Sequence, residues 1–167
     1  MFHRFDYASP IGALTLVSDG AGLCGLYFEQ HKPGGPPAGA AEQTDRVIDT
    51  ARRQLDDYFA GKRRDFDIAL RAEGTPFQKR VWALLAAIPF GALRSYGDLA
   101  RDLGAPSASR AVGAAVGRNP ISILLPCHRI VGASGAITGY AGGVERKRFL
   151  LALEQEALAP SSPQRLC

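Results

Sequence analysis

Between Phe2 and Phe28, apolar and polar residues alternate in short runs separated by turn chemistry. Residues 2–7, 13–17 and 23–28 read as three strands, with Ser9-Pro10-Ile11-Gly12 and Ser18-Asp19-Gly20-Ala21-Gly22 reversing the chain between them. The expected product is a small antiparallel meander. Cys24 falls inside its third strand, where a small buried hydrophobe is the expected role. Residues 31–41, rich in Pro and Gly, read as a loop. From Thr44 the period lengthens to that of a helix. Val47, Ile48, Ala51, Leu55, Tyr58 and Phe59 share one face, Thr44 stands as N-cap and Gly61 lies beyond the end. Residues 66–70 read as one more strand, and 71–74 as a linker.

Beyond Thr75 the pattern is one of short helices. Thr75-Pro76 supplies an N-cap followed by Pro at the first helical position, and Phe77, Val81, Trp82, Leu84, Leu85 and Ile88 form a buried stripe that ends near Pro89 and Gly91. Residues 95–103 and 107–117 follow, and two short helices about a Gly-containing turn make a helix-turn-helix. A last helix spans residues 145–157. The helix at 107–117 lacks the Asn, Gln and multiple Arg of a major-groove reader and offers Ala111, Gly113, Ala114 and Ala115 with a single Arg110. Small residues there suit close approach to a minor groove, or equally a tight helix contact inside the domain.

The 46% hydrophobic and 22% charged composition is that of a globular protein able to bury its own core. No run approaches the ~20 apolar residues of a membrane span, and the N-terminus lacks the apolar core of a signal peptide, so a cytoplasmic protein is expected. Cys24, Cys127 and Cys167 are widely spaced without CxxC or metal-ligand patterns, which predicts free thiols and no zinc site. Charge divides the chain as the hydrophobic period does. Residues 1–73 carry 9 Lys+Arg against 11 Asp+Glu, net −2, and residues 74–167 carry 11 against 5, net +6. These are the two expected domains, and the basic one points to a polyanion, most commonly nucleic acid.

One stretch carries chemistry. The apolar run 119–126 closes on Pro126 and is followed by adjacent Cys127 and His128, then by the Gly-rich residues 132–143. A cysteine at the end of a buried, strand-like segment is placed as a nucleophile, and a neighbouring imidazole bears on its ionisation. An inert buried cysteine is the commoner meaning of a bare Cys-His pair. Side chains at i and i+1 also diverge on an extended backbone, so a relay between these two requires a bend or a water.

At Pro126-Cys127-His128-Arg129-Ile130, together with Tyr96, Arg110, Asn119 and Thr138-Gly139-Tyr140-Ala141-Gly142-Gly143, the chain resembles the O6-alkylguanine-DNA alkyltransferases of bacterial single-chain type. The likeness covers residues 75–154 at motif level and the whole length in layout, and it displaces the inert-cysteine reading. It implies an α+β protein: a ribonuclease H-like antiparallel sheet domain with a helix, and a mainly helical domain of winged helix-turn-helix type. It implies that Cys127 accepts the alkyl group once, that His128 is its base through a water, and that Glu154 orients the histidine. Asn119 is implied as a hinge and Tyr96 as a hydroxyl donor to the leaving guanine. Tyr140, the Ala141 N–H and the Cys127 and Ile130 carbonyls are implied around the flipped base. Arg110 is implied as the finger that fills the vacated stack, with Ala111 and Gly113 on the same DNA-facing helix.

Position 141 is Ala where some relatives have Ser, no zinc ligand set is evident, and no Cys-rich regulatory module is expected. A monomer without metal or cofactor, acting on double-stranded DNA that carries O6-alkylguanine, is the expectation. The competing readings are a non-catalytic lesion-binding relative, which would lack the cysteine; a helix-turn-helix transcription factor, which would need base-reading side chains; and a cysteine hydrolase, whose histidine normally comes from a distant segment.

Overall fold

The N-terminal alternation folds as β1 (His3–Ser9), β2 (Gly12–Ser18) and β3 (Leu23–Phe28). The computed structural model describes residues 1–29 and 35–159. In it the three strands pair antiparallel, and a short β4 (Ala41–Glu42) adds parallel to β1, for the order β3-β2-β1-β4. Pairing Tyr7 with Leu14 and Phe5 with Leu16 puts alternate side chains on one face. That face buries Leu14, Leu16 and Leu26 against Ile48, Ala51 and Leu55 of α1 (Arg46–Phe59).

In this half the structure departs from expectation at two places. The cap of α1 is Asp45 rather than Thr44: its side chain accepts from the Ile48 N–H at 2.9 Å, and its charge complements the helix N-terminus. Residues 66–70 do not form a strand. Gln54 of α1 captures Asp67 through both of its backbone groups, each at 2.9 Å, and only Leu70 bridges to the sheet, opposite Leu23.

In the second half, α2 (Pro76–Ala86) and α3 (Tyr96–Asp102) each begin with a capping box, Thr75 with Gln78 and Ser95 with Asp98. α4 (Ser109–Gly117) starts two residues later than expected, without a side-chain cap. Its small residues divide between an inner, packed face and an outer, exposed one. Val112, Ala115 and Val116 are buried, and the Ala115 carbonyl accepts from Trp82 Nε1 at 2.9 Å, while Arg110, Ala111, Ala114, Gly117 and Arg118 form the exposed face. Two short parallel strands, β5 (Arg94–Ser95) and β6 (Ile130–Val131), flank the helix pair as a small wing, and α5 (Val144–Leu158) is the last helix of the described residues.

The run before Cys127 is not the strand-like segment expected. It touches the sheet edge at Leu26, whose N–H donates to the Pro120 carbonyl at 2.9 Å, and then Ile123 adopts a φ of 74° and turns the chain back. Positive φ is costly for a β-branched side chain, on the order of 1–3 kcal/mol. Asn119 holds the reversal: its Oδ1 accepts from the Ile121 N–H at 2.9 Å and its Nδ2 donates to the Leu125 carbonyl at 2.7 Å. Sheet, α1, α2, α4, this reversal and Leu150 share one continuous core. Among the described residues, no helix is long and apolar enough to cross a membrane.

Candidate active site

The chain turns into a short 3-10 helix at Cys127–Arg129, held by the Cys127 N–H on the Leu125 carbonyl at 2.7 Å and by the Arg129 N–H on the Pro126 carbonyl at 2.9 Å. The turn takes Cys127 and His128 off the extended backbone on which adjacent side chains point apart. Cys127, 5% exposed, lies at a cleft of about 270 Å³ lined by Tyr96 of α3, by Gly113, Val116 and Gly117 of α4, and by Gly139, Tyr140 and Ala141. That volume lies just under the ~300–1,000 Å³ of ordinary small-ligand sites, so the cleft has room for one compact group.

Behind the cysteine, His128 and Glu154 are both fully buried, with His128 Nε2 2.6 Å from Glu154 Oε2. Five hydrogen bonds converge on this carboxylate. Oε1 accepts from Arg129 Nε at 2.9 Å and from the Gly91 N–H at 3.0 Å; Oε2 accepts from His128, from Arg129 Nη2 at 2.9 Å and from the Tyr58 hydroxyl at 2.7 Å. Burial pushes the Glu154 pKa up, but the hydrogen bonds and charges of His128 and Arg129 override it and hold the carboxyl well below the usual range. An ionised carboxylate accepts only, so His128 carries its proton on Nε2 and its buried Nδ1, which has no protein partner, is the free acceptor. Burial lowers the His128 pKa against the opposing pull of Glu154, which leaves a neutral imidazole able to take up a proton.

The thiol differs from a simple lowered-pKa expectation. Burial raises the Cys127 pKa, while the polar side chains of Asn119 and Ser122 and the charge of Lys147 oppose it. Ser122 Oγ makes no hydrogen bond of its own, so its contribution is that of a nearby dipole. Burial therefore favours the neutral thiol over a standing thiolate.

Tyr96 places its hydroxyl 3.2 Å from Thr138 Oγ1 at the cleft. Tyr140 packs edge-on against Phe28 of β3 at 5.4 Å and against His128 at 6.5 Å. The structure thus gathers Cys127, His128, Glu154, Asn119, Tyr96, Gly113, Tyr140 and Ala141 about one cleft. Ile130 is buried behind it, and its carbonyl already accepts from Lys147 Nζ, leaving one lone pair for any further donor. Arg110 and Ala111 lie on the outer face of α4 and do not line the cleft.

Four residues of the site carry no role in the sequence reading. Arg129 was visible inside the Pro-Cys-His-Arg motif. Lys147 shares the spacing of Leu150 and Glu154 on α5, so helical periodicity alone turns it inward. Tyr58 and Phe28 read as core aromatics, and nothing local marked them as neighbours of the site. The close approach of Phe28 also explains Gly142, where a Cβ would meet the ring at 2.8 Å.

Fold and site together define a helix-turn-helix protein built around a buried cysteine backed by a histidine and a carboxylate. The model of the 6-O-methylguanine DNA methyltransferase DNA-binding domain matches residues 76–156, and that of its ribonuclease-like domain matches 5–72. The chain is 47% identical over 148 residues to the methylated-DNA–protein-cysteine methyltransferase of Methanosarcina acetivorans, covering 89% of this chain and 95% of that one. It is 47% identical over 161 residues to the protein of that name from Mycobacterium tuberculosis strain H37Rv, covering 93% of each. A crystal structure of Mycobacterium tuberculosis OGT in complex with DNA is similar at a TM-score of 0.87 and 46% identity, over 95% of this chain and 96% of that chain. The chain belongs to the 6-O-methylguanine DNA methyltransferase family.

Proposed function

We propose that this protein repairs DNA by moving the alkyl group of O6-alkylguanine onto Cys127, once per molecule. The observation that carries the reading is a cleft in the helix-turn-helix half that reaches a cysteine thiol backed by a buried histidine–carboxylate pair. His128 Nδ1 takes the thiol proton through a water, Glu154 holds the resulting imidazolium, and the sulfur attacks the alkyl carbon in line. One C–S bond forms, one C–O bond breaks, and the electron pair leaves on guanine, which receives a proton from the Tyr96 side. The thioether is inert to water, so the reaction is stoichiometric.

Guanine O6 is stacked inside the duplex, and the nucleotide must rotate out to reach the cleft. The outer face of α4 suits this step, with a flat strip of Ala111, Ala114 and Gly117 between Arg110 and Arg118. Residues 74–167 act in this reading as the DNA-binding and acceptor domain and 1–73 as its support, in a cytoplasmic monomer. The Tyr140 ring, the Ala141 N–H and the carbonyls of Cys127 and Ile130 enclose the base, and Asn119 fixes the reversal that presents the thiol.

Incubating the protein with duplex DNA containing O6-methylguanine and weighing it intact tests the reading. The expected result is the gain of one methyl group per chain, mapped to Cys127 after digestion; turnover beyond one equivalent would overturn it. Arg110→Ala is expected to slow repair of duplex DNA by about 10-fold or more, as loss of a few kcal/mol of flipping compensation implies, while leaving reaction with free O6-benzylguanine nearly unchanged. Equal losses on both substrates in single-turnover assays would remove Arg110 from the flipping step.

A further inference from the structure

The donors around Glu154 are unequal. Arg129 and His128 come from the motif turn and Gly91 from the loop after α2, but Tyr58 reaches in from α1, 96 residues away in sequence. Its side chain is fully buried, and its ring is fixed between Phe59, Phe66 and Phe90, with centroids at 5.4, 5.4 and 6.1 Å. Its hydroxyl donates at 2.7 Å to Oε2, the oxygen that His128 Nε2 meets at 2.6 Å.

We propose that Tyr58 is a positioning residue of the alkyl-transfer site: by donating to the Glu154 oxygen that receives His128, it sets how strongly the carboxylate holds the imidazole. The proposal rests on the Cys127–His128–Glu154 reading above. A carboxylate's charge is shared among its donors, so each neutral donor on Oε2 reduces the share available to a protonated His128. The groups facing this pair are Arg129 on the motif turn, Tyr58 on α1 and the Gly91 N–H; beyond the imidazole lie Cys127, Tyr140 and Lys147. Of these, Tyr58 is the one neutral side chain bonded to the carboxylate. It is therefore the group whose removal changes the carboxylate's strength without changing the net charge of the site. The consequence for the fold is that the sheet half takes part in the chemistry through α1.

Tyr58→Phe keeps the ring and its three aromatic contacts and leaves Oε2 with two donors, so the carboxylate is not orphaned. The test follows the His128 ring signals by NMR against pH, together with the single-turnover rate on alkylated duplex. Tyr58→Phe is expected to raise the His128 titration by about 0.5–1 pH unit, a roughly three- to tenfold shift in its protonation equilibrium, and to move the inflection of the rate profile the same way. Replacing Tyr58 with 3,5-difluorotyrosine, a stronger donor of similar shape, is expected to shift both in the opposite direction. A packing role alone would scale the rate at every pH and leave the titration in place. An unmoved titration in both variants overturns the proposal. His128→Gln read alongside separates the two layers: slow transfer upholds the relay and leaves the Tyr58 result decisive, whereas transfer at the wild-type rate overturns the relay and the proposal with it.

Discussion

Cys127→Ser is expected to abolish alkyl transfer, a loss of about 10⁴-fold or more on the scale at which removal of an activated nucleophile acts, while lesion binding persists. The cleft surfaces are unchanged by the substitution, so the flipped base still has its pocket. The hydroxyl, however, is far harder to ionise than the thiol, so in the proposed relay a base that takes a proton from sulfur does not take one from oxygen to the same extent. Cys24 does not take over. It is half-buried in β3, burial and then the charge of Asp19 push its thiol up to about 11, and among the described residues no histidine stands beside it. Cys167, expected from its tail position to lack a base, lies outside the described residues. Intact mass after incubation with O6-alkylguanine duplex and a gel-shift titration check the two halves of the expectation. A methyl adduct on the Ser variant, mapped after digestion to a position other than 127, would show that Cys127 is not the sole acceptor.

The sequence was most legible where one local rule decides the structure. The three strands and the Thr75-Pro76 start of α2 follow from alternation and capping, and the structure places them within one or two residues of expectation. It was least legible where a distant partner decides. Residues 66–70 have strand composition, yet Gln54 draws Asp67 onto α1, a contact between side chain and backbone 13 residues apart that no periodicity encodes. Residues 119–126 are mostly apolar, which is equally compatible with a strand or with a buried reversal. Asn119 selects the reversal by spanning it with both ends of its amide.

The site divides in the same way. Cys127, His128 and Arg129 are adjacent and were legible as a motif, and Glu154 followed from the resemblance. What the motif cannot reveal is the charge balance behind it. Lys147 and Glu154 sit on the buried stripe of α5, where unpaired charges are costly, and each is satisfied by groups from other segments: Lys147 by the Ile130 and Thr138 carbonyls, Glu154 by donors from α1, the loop at Gly91 and the motif turn. The basic character of the second half is likewise partly internal. Arg129 and Lys147 contribute to its net +6 but are buried, so the surface that faces a polyanion is carried by exposed residues such as Lys79, Arg80, Arg110, Arg118 and Arg148.

Removing the carboxylate tests that balance most severely. Glu154→Ala leaves Arg129 buried at 6% exposure without its bidentate partner, and breaking a buried pair by deleting one member typically costs about 3–5 kcal/mol. Alkyl transfer is expected to fall by about 10²-fold in parallel, because His128 loses both its orientation and the charge that stabilises its conjugate acid. The pH dependence gives the sign independently. Glu154 has a folded pKa depressed below its ordinary 4.5, so its stabilisation is present above 4.5 and is lost as pH falls below it. His128 has a folded pKa lowered below 6.5, so the unfolded chain takes up a proton that the folded one refuses, and stability also falls as pH drops below 6.5. The wild-type protein is therefore expected to lose stability in two stages on acidification, the first from about 6.5 and the second from about 4.5. In Glu154→Ala the second stage should weaken, since its titrating group is gone. The first should extend to lower pH, since the imidazole has lost the anion that favoured its protonation. Urea unfolding of both proteins across this range measures it, and a variant with wild-type stability at neutral pH would mean that the buried arginine finds another partner and that the Glu154 cluster does not hold the two halves together.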